Sequence, residues 1–151
     1  MVRRVNPRKV KSQAGPVIYD SRSASGLVGH FLSAIVGSAI ARGTSFLREK
    51  LGQQVFGDII HIIDDPLRPR GLASKPFDAE GIATKALLLI EASVLKSWIL
   101  DLGSARQLGL QTTGHAARGL AGPPGPSSSN VTMSPGSLSL DDMIKSIGTG
   151  F

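Results

Sequence analysis

The stretch at residues 23–41, SASGLVGHFLSAIVGSAIA, decides how this chain folds. It carries no charge and lies between Arg22 and Arg42. Its apolar residues recur at intervals of three and four, which is the pattern of one apolar face of an α-helix. Each glycine inside a helix costs roughly 1 kcal/mol relative to alanine, so the glycines here indicate close approach of another backbone. The stretch therefore predicts a buried, glycine-rich helix near the N-terminus.

A membrane span is the competing interpretation of this stretch, since about 20 uncharged residues can cross a bilayer. Three glycines, four serines and His30 make it too polar for that role. The chain has no cysteine, which excludes disulfides and thiolate metal ligands. Its N-terminus is basic and is followed by no apolar signal region. We therefore expect a soluble, cytoplasmic protein without a membrane partner.

The rest of the chain mixes short strand and helix signals. Five stretches predict strands, two of them as arms of a hairpin across Ala92-Ser93: 17–19, 59–63, 86–91, 94–101 and 130–133. Three stretches predict short helices or helical turns, each ended by a glycine: 46–51, 104–108 and 139–148. Because strands and helices do not alternate regularly, the pattern favours an α+β fold with a largely antiparallel sheet.

Three histidines are the first candidates for metal binding or acid–base chemistry. A helical zinc site at His30 would need a second ligand on the same helix face, and Ser25 and Gly26 supply none. His30 is therefore expected to be a packed, hydrogen-bonded core histidine. His61 lies in a predicted strand and His115 in a loop, so their spacing predicts no shared site.

A cluster of acidic residues is the second candidate. Four carboxylates flank or border the loop at residues 67–78, which carries Arg68 and Arg70: Asp64, Asp65, Asp78 and Glu80. Paired carboxylates can perform acid–base catalysis. Ion pairing with neighbouring arginines is the commoner role of such residues, and we expect it here.

The first residues of the chain are strongly basic and raise the question of nucleic-acid binding. Five cations supply much of the net charge of +6: Arg3, Arg4, Arg8, Lys9 and Lys11. Such an arm can bind phosphates through counterion release. No aromatic residues are interleaved with these cations to stack on bases. We interpret residues 1–15 as a solvated basic linker and do not expect a nucleic-acid partner.

Six short motifs then occur in a fixed order along the chain. They are SGLVGH at 25–30, GTSFL at 43–47, DDP with PRG at 64–71, PFDAEG at 76–81, SARQLG at 104–109 and TTG at 112–114. This succession resembles the PmbA (TldE) branch of the TldD/PmbA family. The resemblance implies an interdomain linker at 1–15 and a partial C-terminal domain at 16–151. Within that domain, the low-complexity stretch at 119–129 predicts a mobile loop. Family chains are much longer, so we expect a fragment.

The resemblance also bears on chemistry. Members of the TldD branch carry a His-Glu-x-x-x-His zinc motif on the helix that corresponds to residues 23–41. In this chain Ser25 and Gly26 replace the first His and the Glu, and only His30 matches. The resemblance thus implies no catalytic, cofactor-binding or metal-binding residue here, and zinc in a TldD-like partner. It implies the non-catalytic subunit of a cytosolic two-subunit metallopeptidase that degrades or trims unfolded peptides.

Two alternative functions stay open from the sequence. One is a free-standing metallopeptidase-like enzyme that uses His30 with distant carboxylates. The other is a gyrase-related, nucleic-acid-associated modulator that uses the basic N-terminal arm, since the family was also named for a proposed modulation of DNA gyrase. Metal content would distinguish the first alternative, and salt-dependent DNA binding the second.

Overall fold

The computed structural model describes Lys9, residues 11–57 and residues 59–148. Helices and strands in this part of the chain are, in order, α1 Ser21–Ala34, α2 Gly37–Ala41, β1 Ile62–Asp64, β2 Leu87–Glu91, β3 Val94–Leu95, α3 Leu102–Leu108, β4 Ala116–Ala117, β5 Gly125–Pro126, β6 Val131–Met133 and α4 Leu140–Ile147. The chain forms two compact units, Ser25–Pro135 and the pair Met1–Ala24 with Gly136–Phe151. The predicted linker at 1–15 lies for the most part outside the described residues.

A four-stranded antiparallel sheet forms the centre of the larger unit. Its strand order is β3-β2-β1-β6, so β2 and β6 flank β1 on opposite sides. A separate two-stranded antiparallel ribbon joins β4 to β5. The predicted α+β fold with a largely antiparallel sheet is confirmed.

The core of the larger unit is small and apolar. It consists of seven buried residues: Ile35, Leu47, Ile62, Leu89, Ile90, Leu95 and Ile99. Ile62 of β1 pairs with Ile90 of β2, so the sheet contributes the centre of this cluster. Phe31 of α1 packs against it and places its ring centroid 5.4 Å from that of Phe56. Each fully buried side chain of this kind stabilises the fold by roughly 1.5–3 kcal/mol.

The glycine-rich stretch is two helices rather than the single buried helix that we predicted. α1 ends at Ala34, and none of its residues is fully buried. The backbone of the next residues pairs with Ile99, because Ile99 N donates to Ile35 O at 3.0 Å and Gly37 N donates to Ile99 O at 2.7 Å. These bonds take the chain out of the helix before α2 begins. None of the described helices is long and apolar enough to span a bilayer.

The β2–β3 hairpin is confirmed, although its second arm ends at Leu95 rather than at residue 101. Ala92 and Ser93 form its turn with φ values of 46° and 67°, which is the left-handed backbone of a type I′ turn. Ser93 tolerates this conformation because Ile60 N donates to its side-chain Oγ at 3.0 Å and Ser93 N donates to Ile60 O. Ser93 is thus unfavourable as a turn residue, but it is buried and holds the turn against Ile60.

The remaining predicted elements had mixed outcomes. Residues 17–19 form no strand, and strand β1 starts only at Ile62, leaving Ile59 82% exposed. Residues 46–51 are turns rather than a helix. The other three elements are confirmed: α3 ending at Gly109 with a φ of 67°, strand β6, and helix α4, whose N-cap Ser139 accepts the Asp142 N–H.

Candidate functional site

His30 lies on α1 and is exposed to solvent, so the prediction of a packed core histidine is wrong. It stands at the edge of an apolar cleft of about 220 Å³. Five further residues line this cleft: Phe31, Phe46, Leu47, Val55 and Phe56. Sequence periodicity placed His30 on an apolar helix. In the structure only one side of α1 packs against the core, through Phe31 and Leu32, and His30 lies outside that side.

The donor set on α1 does not fit a zinc ion. Apart from His30, α1 carries no imidazole or carboxylate, and Ser25 offers only a hydroxyl. Gly26 has no side chain to activate water. The described residues contain no group of three or more His, Asp or Glu side chains placed to hold a metal ion. The described residues therefore complete no three-ligand site around His30.

The other two histidines are in structural positions and do not join His30. His61 is half-buried just before β1, where its Nδ1 accepts the Ala92 N–H at 3.4 Å. His115 is fully buried, and its Nδ1 lies 2.7 Å from Thr113 O. A carbonyl oxygen only accepts, so Nδ1 of His115 carries the proton.

A polar cluster brings His115 close to Asp64 and Ser129. His115 Nε2 is 3.7 Å from Asp64 Oδ2, and both side chains are wholly buried. Ser129 donates its backbone N–H to Asp64 Oδ2 at 2.7 Å and its hydroxyl to Asp64 Oδ1. Ser129, the last residue of the predicted mobile loop at 119–129, is thus bound to Asp64 of β1. Asp64 and His115 are closed to solvent and offer no surface to a substrate, whereas Ser129 is half-buried.

Asp78 anchors a second part of the fold. It accepts the backbone N–H groups of Glu80 and Ile82 at 2.9 Å each and that of Ala116 at 3.1 Å. Burial acts to raise the pKa of Asp78, but these three donors and the nearby Lys75 outweigh it, so the pKa lies below its ordinary value of 3.8. Asp78 is thus a charged clamp on the β4 strand.

The predicted ion pairs with Arg68 and Arg70 do not form among the described residues. The carboxylates bind backbone N–H groups instead. Asp65 Oδ1 accepts from Leu67 N at 3.0 Å, and Glu80 Oε2 accepts from Leu102 N at 2.8 Å. These bonds fix loops and helix starts, which leaves the two arginines without an acidic partner there.

Sequence reasoning missed two features of this region. One is the Asp64–His115–Ser129 cluster, whose members are far apart in the chain and are joined only by the fold. Its one sequence signal is an acidic residue directly after an apolar run. The other is the unpaired state of the arginines, which no spacing rule could indicate.

Comparisons with known proteins identify the family. A profile of the PmbA/TldA metallopeptidase C-terminal domain matches residues 12–151. The metalloprotease PmbA of Escherichia coli O157:H7 is 39% identical over 147 residues, which cover 97% of this chain and 31% of that protein. The PmbA homolog of Haemophilus influenzae is 39% identical over 116 residues, covering 77% of this chain and 26% of that protein.

Solved structures share the fold. A crystal structure of a proposed DNA gyrase modulator from Bacteroides thetaiotaomicron superposes with a TM-score of 0.83 at 27% identity, covering 97% of this chain and 31% of that one. TldE from Thermococcus kodakarensis gives a TM-score of 0.70 at 28% identity, covering 88% and 29%. The chain thus spans less than a third of the length of these relatives. It belongs to the family of PmbA/TldA metallopeptidase C-terminal domains.

Proposed function

We propose that this chain is part of the non-catalytic subunit of a cytoplasmic two-subunit zinc peptidase. In this proposal a TldD-like partner supplies the zinc and the catalytic residues, and the substrates are unfolded peptides. The family and the metalloprotease names of the relatives support a role in peptidase chemistry. The structural similarity to a TldE protein supports the assignment to that side of the pair.

The observation that carries the proposal is the donor set of α1. The resemblance places the zinc motif of the TldD branch at positions 25, 26 and 30. Here those positions offer one hydroxyl, one glycine without a side chain and one exposed imidazole. A single imidazole holds zinc weakly, and the general base that would activate a water is missing. We therefore propose that the catalytic centre lies in the TldD-like partner.

The surroundings of His30 support contact with a peptide or a partner. Phe46 in the neighbouring cleft is 81% exposed, although aromatic side chains of this size usually contribute buried area. The cleft walls are apolar, and His30 is the polar group at its edge. Unfolded peptides expose apolar side chains that such a surface accepts.

Co-purification tests the assembly. The chain and a TldD-like subunit are expressed together with a tag on one of them, and also separately. We expect a stable complex that cleaves an unfolded peptide, one zinc per complex, and no stoichiometric zinc in this chain alone. Tightly bound zinc in the separate chain, or peptidase activity without the partner, would show a free-standing enzyme instead.

Substitution of His30 tests the role of the retained motif position. His30→Gln keeps the size and hydrogen-bonding capacity, so we expect the activity of the complex to stay within about twofold. A zinc-ligand variant of the partner is the positive control and should abolish activity. The matched control in this chain is His61→Gln, which changes a histidine away from α1. A loss with His30→Gln as large as that of the partner variant would overturn the non-catalytic assignment.

A further inference from the structure

The loop at residues 65–75 is rigidly fixed although it contains no helix or strand. Asn130, the residue before β6, holds it from one side. Its Oδ1 accepts the Ala73 N–H at 3.1 Å, and its Nδ2 donates to Asp65 O and to Ser74 Oγ at 2.9 Å each. Within the loop, Ser74 Oγ donates to Arg68 O at 2.6 Å. The loop is thus cross-linked from its start to its end.

This loop presents two arginines to a cleft of about 480 Å³. We call it the arginine cleft; it is lined by residues 68–73 and 129–131. Arg68 and Arg70 are both exposed, and neither guanidinium has an acceptor within the part of the chain that the structure describes. The two nearest acids in sequence accept hydrogen bonds from other groups: Asp64 from Ser129 N and Asp65 from Leu67 N.

The backbone of the loop is strained at one of these arginines. Arg70 has a φ of 58°, a left-handed conformation that glycine adopts far more readily. The next residue, Gly71, has no room for a side chain, because a Cβ there would lie 2.7 Å from Asn130 Nδ2. An arginine is thus held in an unfavourable conformation beside a tightly packed glycine. Such strain tends to occur where a side chain is held for binding.

We infer that the arginine cleft binds the C-terminal carboxylate of a peptide. The planar guanidinium fork of arginine matches a carboxylate in geometry and charge, and a pre-fixed loop loses little freedom on binding. Leu72 is fully exposed at the cleft and Val131 is half-buried there, which gives the last side chain of the peptide apolar contacts. The inference rests on the proposed function for its ligand class, since peptides are the expected substrates.

The test is an NMR titration of the ¹⁵N-labelled chain without any partner subunit. The probes are acetylated Ala-Ala-Ala-Leu with a free C-terminus, the same peptide as its amide, and a short DNA duplex. We expect the free acid to shift the amide resonances of residues 68–73 and 129–131. The amide should bind about tenfold more weakly or not at all, because it lacks the charge-assisted hydrogen bonds.

The variant Arg70→Gly separates binding from folding. Glycine prefers the backbone conformation at this position, so the variant should melt at or above the temperature of the parent chain. It should nevertheless bind the free-acid peptide about tenfold more weakly. Arg68→Gln should show a similar loss. Arg106→Gln, which removes an exposed arginine of α3 outside the cleft, is the matched control and should bind like the parent.

Several results would overturn the inference. These are equal binding of the free acid and the amide, unchanged binding by both cleft variants, or shifts of the same resonances by the DNA duplex but not by the peptide. The titration needs no partner and measures no catalysis. A negative titration would therefore leave the two-subunit proposal intact. If the complex failed to assemble, the titration would still show whether the arginine cleft binds a carboxylate.

Discussion

The two halves of the glycine-rich stretch have similar compositions and different surroundings. At Gly26 and Gly29 of α1, nothing lies within 4 Å of the position that a Cβ would occupy. At Gly37 of α2, the same position lies 2.7 Å from Leu100 Cδ2 and 2.7 Å from Ser104 Cβ. Glycine in a helix permits close packing of a neighbouring segment, but such a segment is present only at Gly37. We call the first half the open half and the second the packed half.

The neighbours of the packed half explain this difference. α2 contacts both α3 and strand β5. Asp101 caps the N-terminus of α3, and its carboxylate accepts the Ser104 N–H at 2.9 Å, so the start of α3 is fixed where α2 meets it. The open half faces no described element at its glycines and carries the retained motif residue His30. Stability and proposed function thus fall on different halves of one stretch.

The largest effect is expected when the packed half is overfilled. Gly37→Ala places a methyl group against two buried side chains that cannot move freely, since Ser104 is held by Asp101. We expect a loss of up to about 3 kcal/mol in the free energy of unfolding. Urea denaturation followed by circular dichroism measures it.

A second substitution identifies the cause of that loss. Ser104→Gly removes the Ser104 side chain that Gly37→Ala would strike and leaves only Leu100 Cδ2 in its way, so the double variant should be more stable than the sum of the two single effects indicates. Simple additivity in this cycle would show that the penalty at residue 37 comes from Leu100 or from the backbone and not from the contact with Ser104 of α3.

Most of the architecture was predictable from local sequence signals. The β2–β3 hairpin, the α3 helix ended by Gly109 and the capped α4 helix follow from patterns that act within a few residues. The break between α1 and α2 was not predictable, because it depends on hydrogen bonds to Ile99, more than 60 residues away. Apolar periodicity continues through the break and conceals it.

The candidate site was less predictable than the fold. The acidic residues were expected to pair with arginines because unlike charges near one another in sequence often do. In the structure, backbone N–H groups compete successfully for them, as at Asp78 with its three donors. The hydrogen-bond partner of each carboxylate depends on which loops contact one another in the folded chain. These tertiary contacts cannot be derived from local patterns in a single sequence.

Lowering the pH should destabilise the surroundings of the packed half without affecting α1. α1 contains no carboxylate, whereas Asp78 clamps the β4–β5 ribbon that α2 contacts. The pKa of Asp78 is lower in the folded chain than its ordinary value of 3.8, so its charged form contributes stability above that pH. The contribution disappears as the pH falls through the lowered value.

Asp78→Asn measures that contribution. We expect the variant to be less stable than the parent by about 1–2 kcal/mol at neutral pH, because one charged acceptor of three N–H groups is replaced by a neutral one. Below pH 3.8 the two chains should converge. A stability difference that stays constant down to pH 2 would show that Asp78 acts through its shape and not through its charge.

The smallest effect should come from filling the open half. Gly26→Ala and Gly29→Ala meet no neighbouring atoms and replace glycine inside a helix, so each should stabilise the chain by about 0.5–1 kcal/mol in urea denaturation. Gly37→Ala, with the opposite sign, is their matched control. The same two variants also report on the proposed partner. If the TldD-like subunit approaches α1 closely, they should stabilise this chain alone and yet weaken its co-purification with that subunit. If co-purification is unchanged, the partner binds elsewhere, and the glycines of the open half have no contact role.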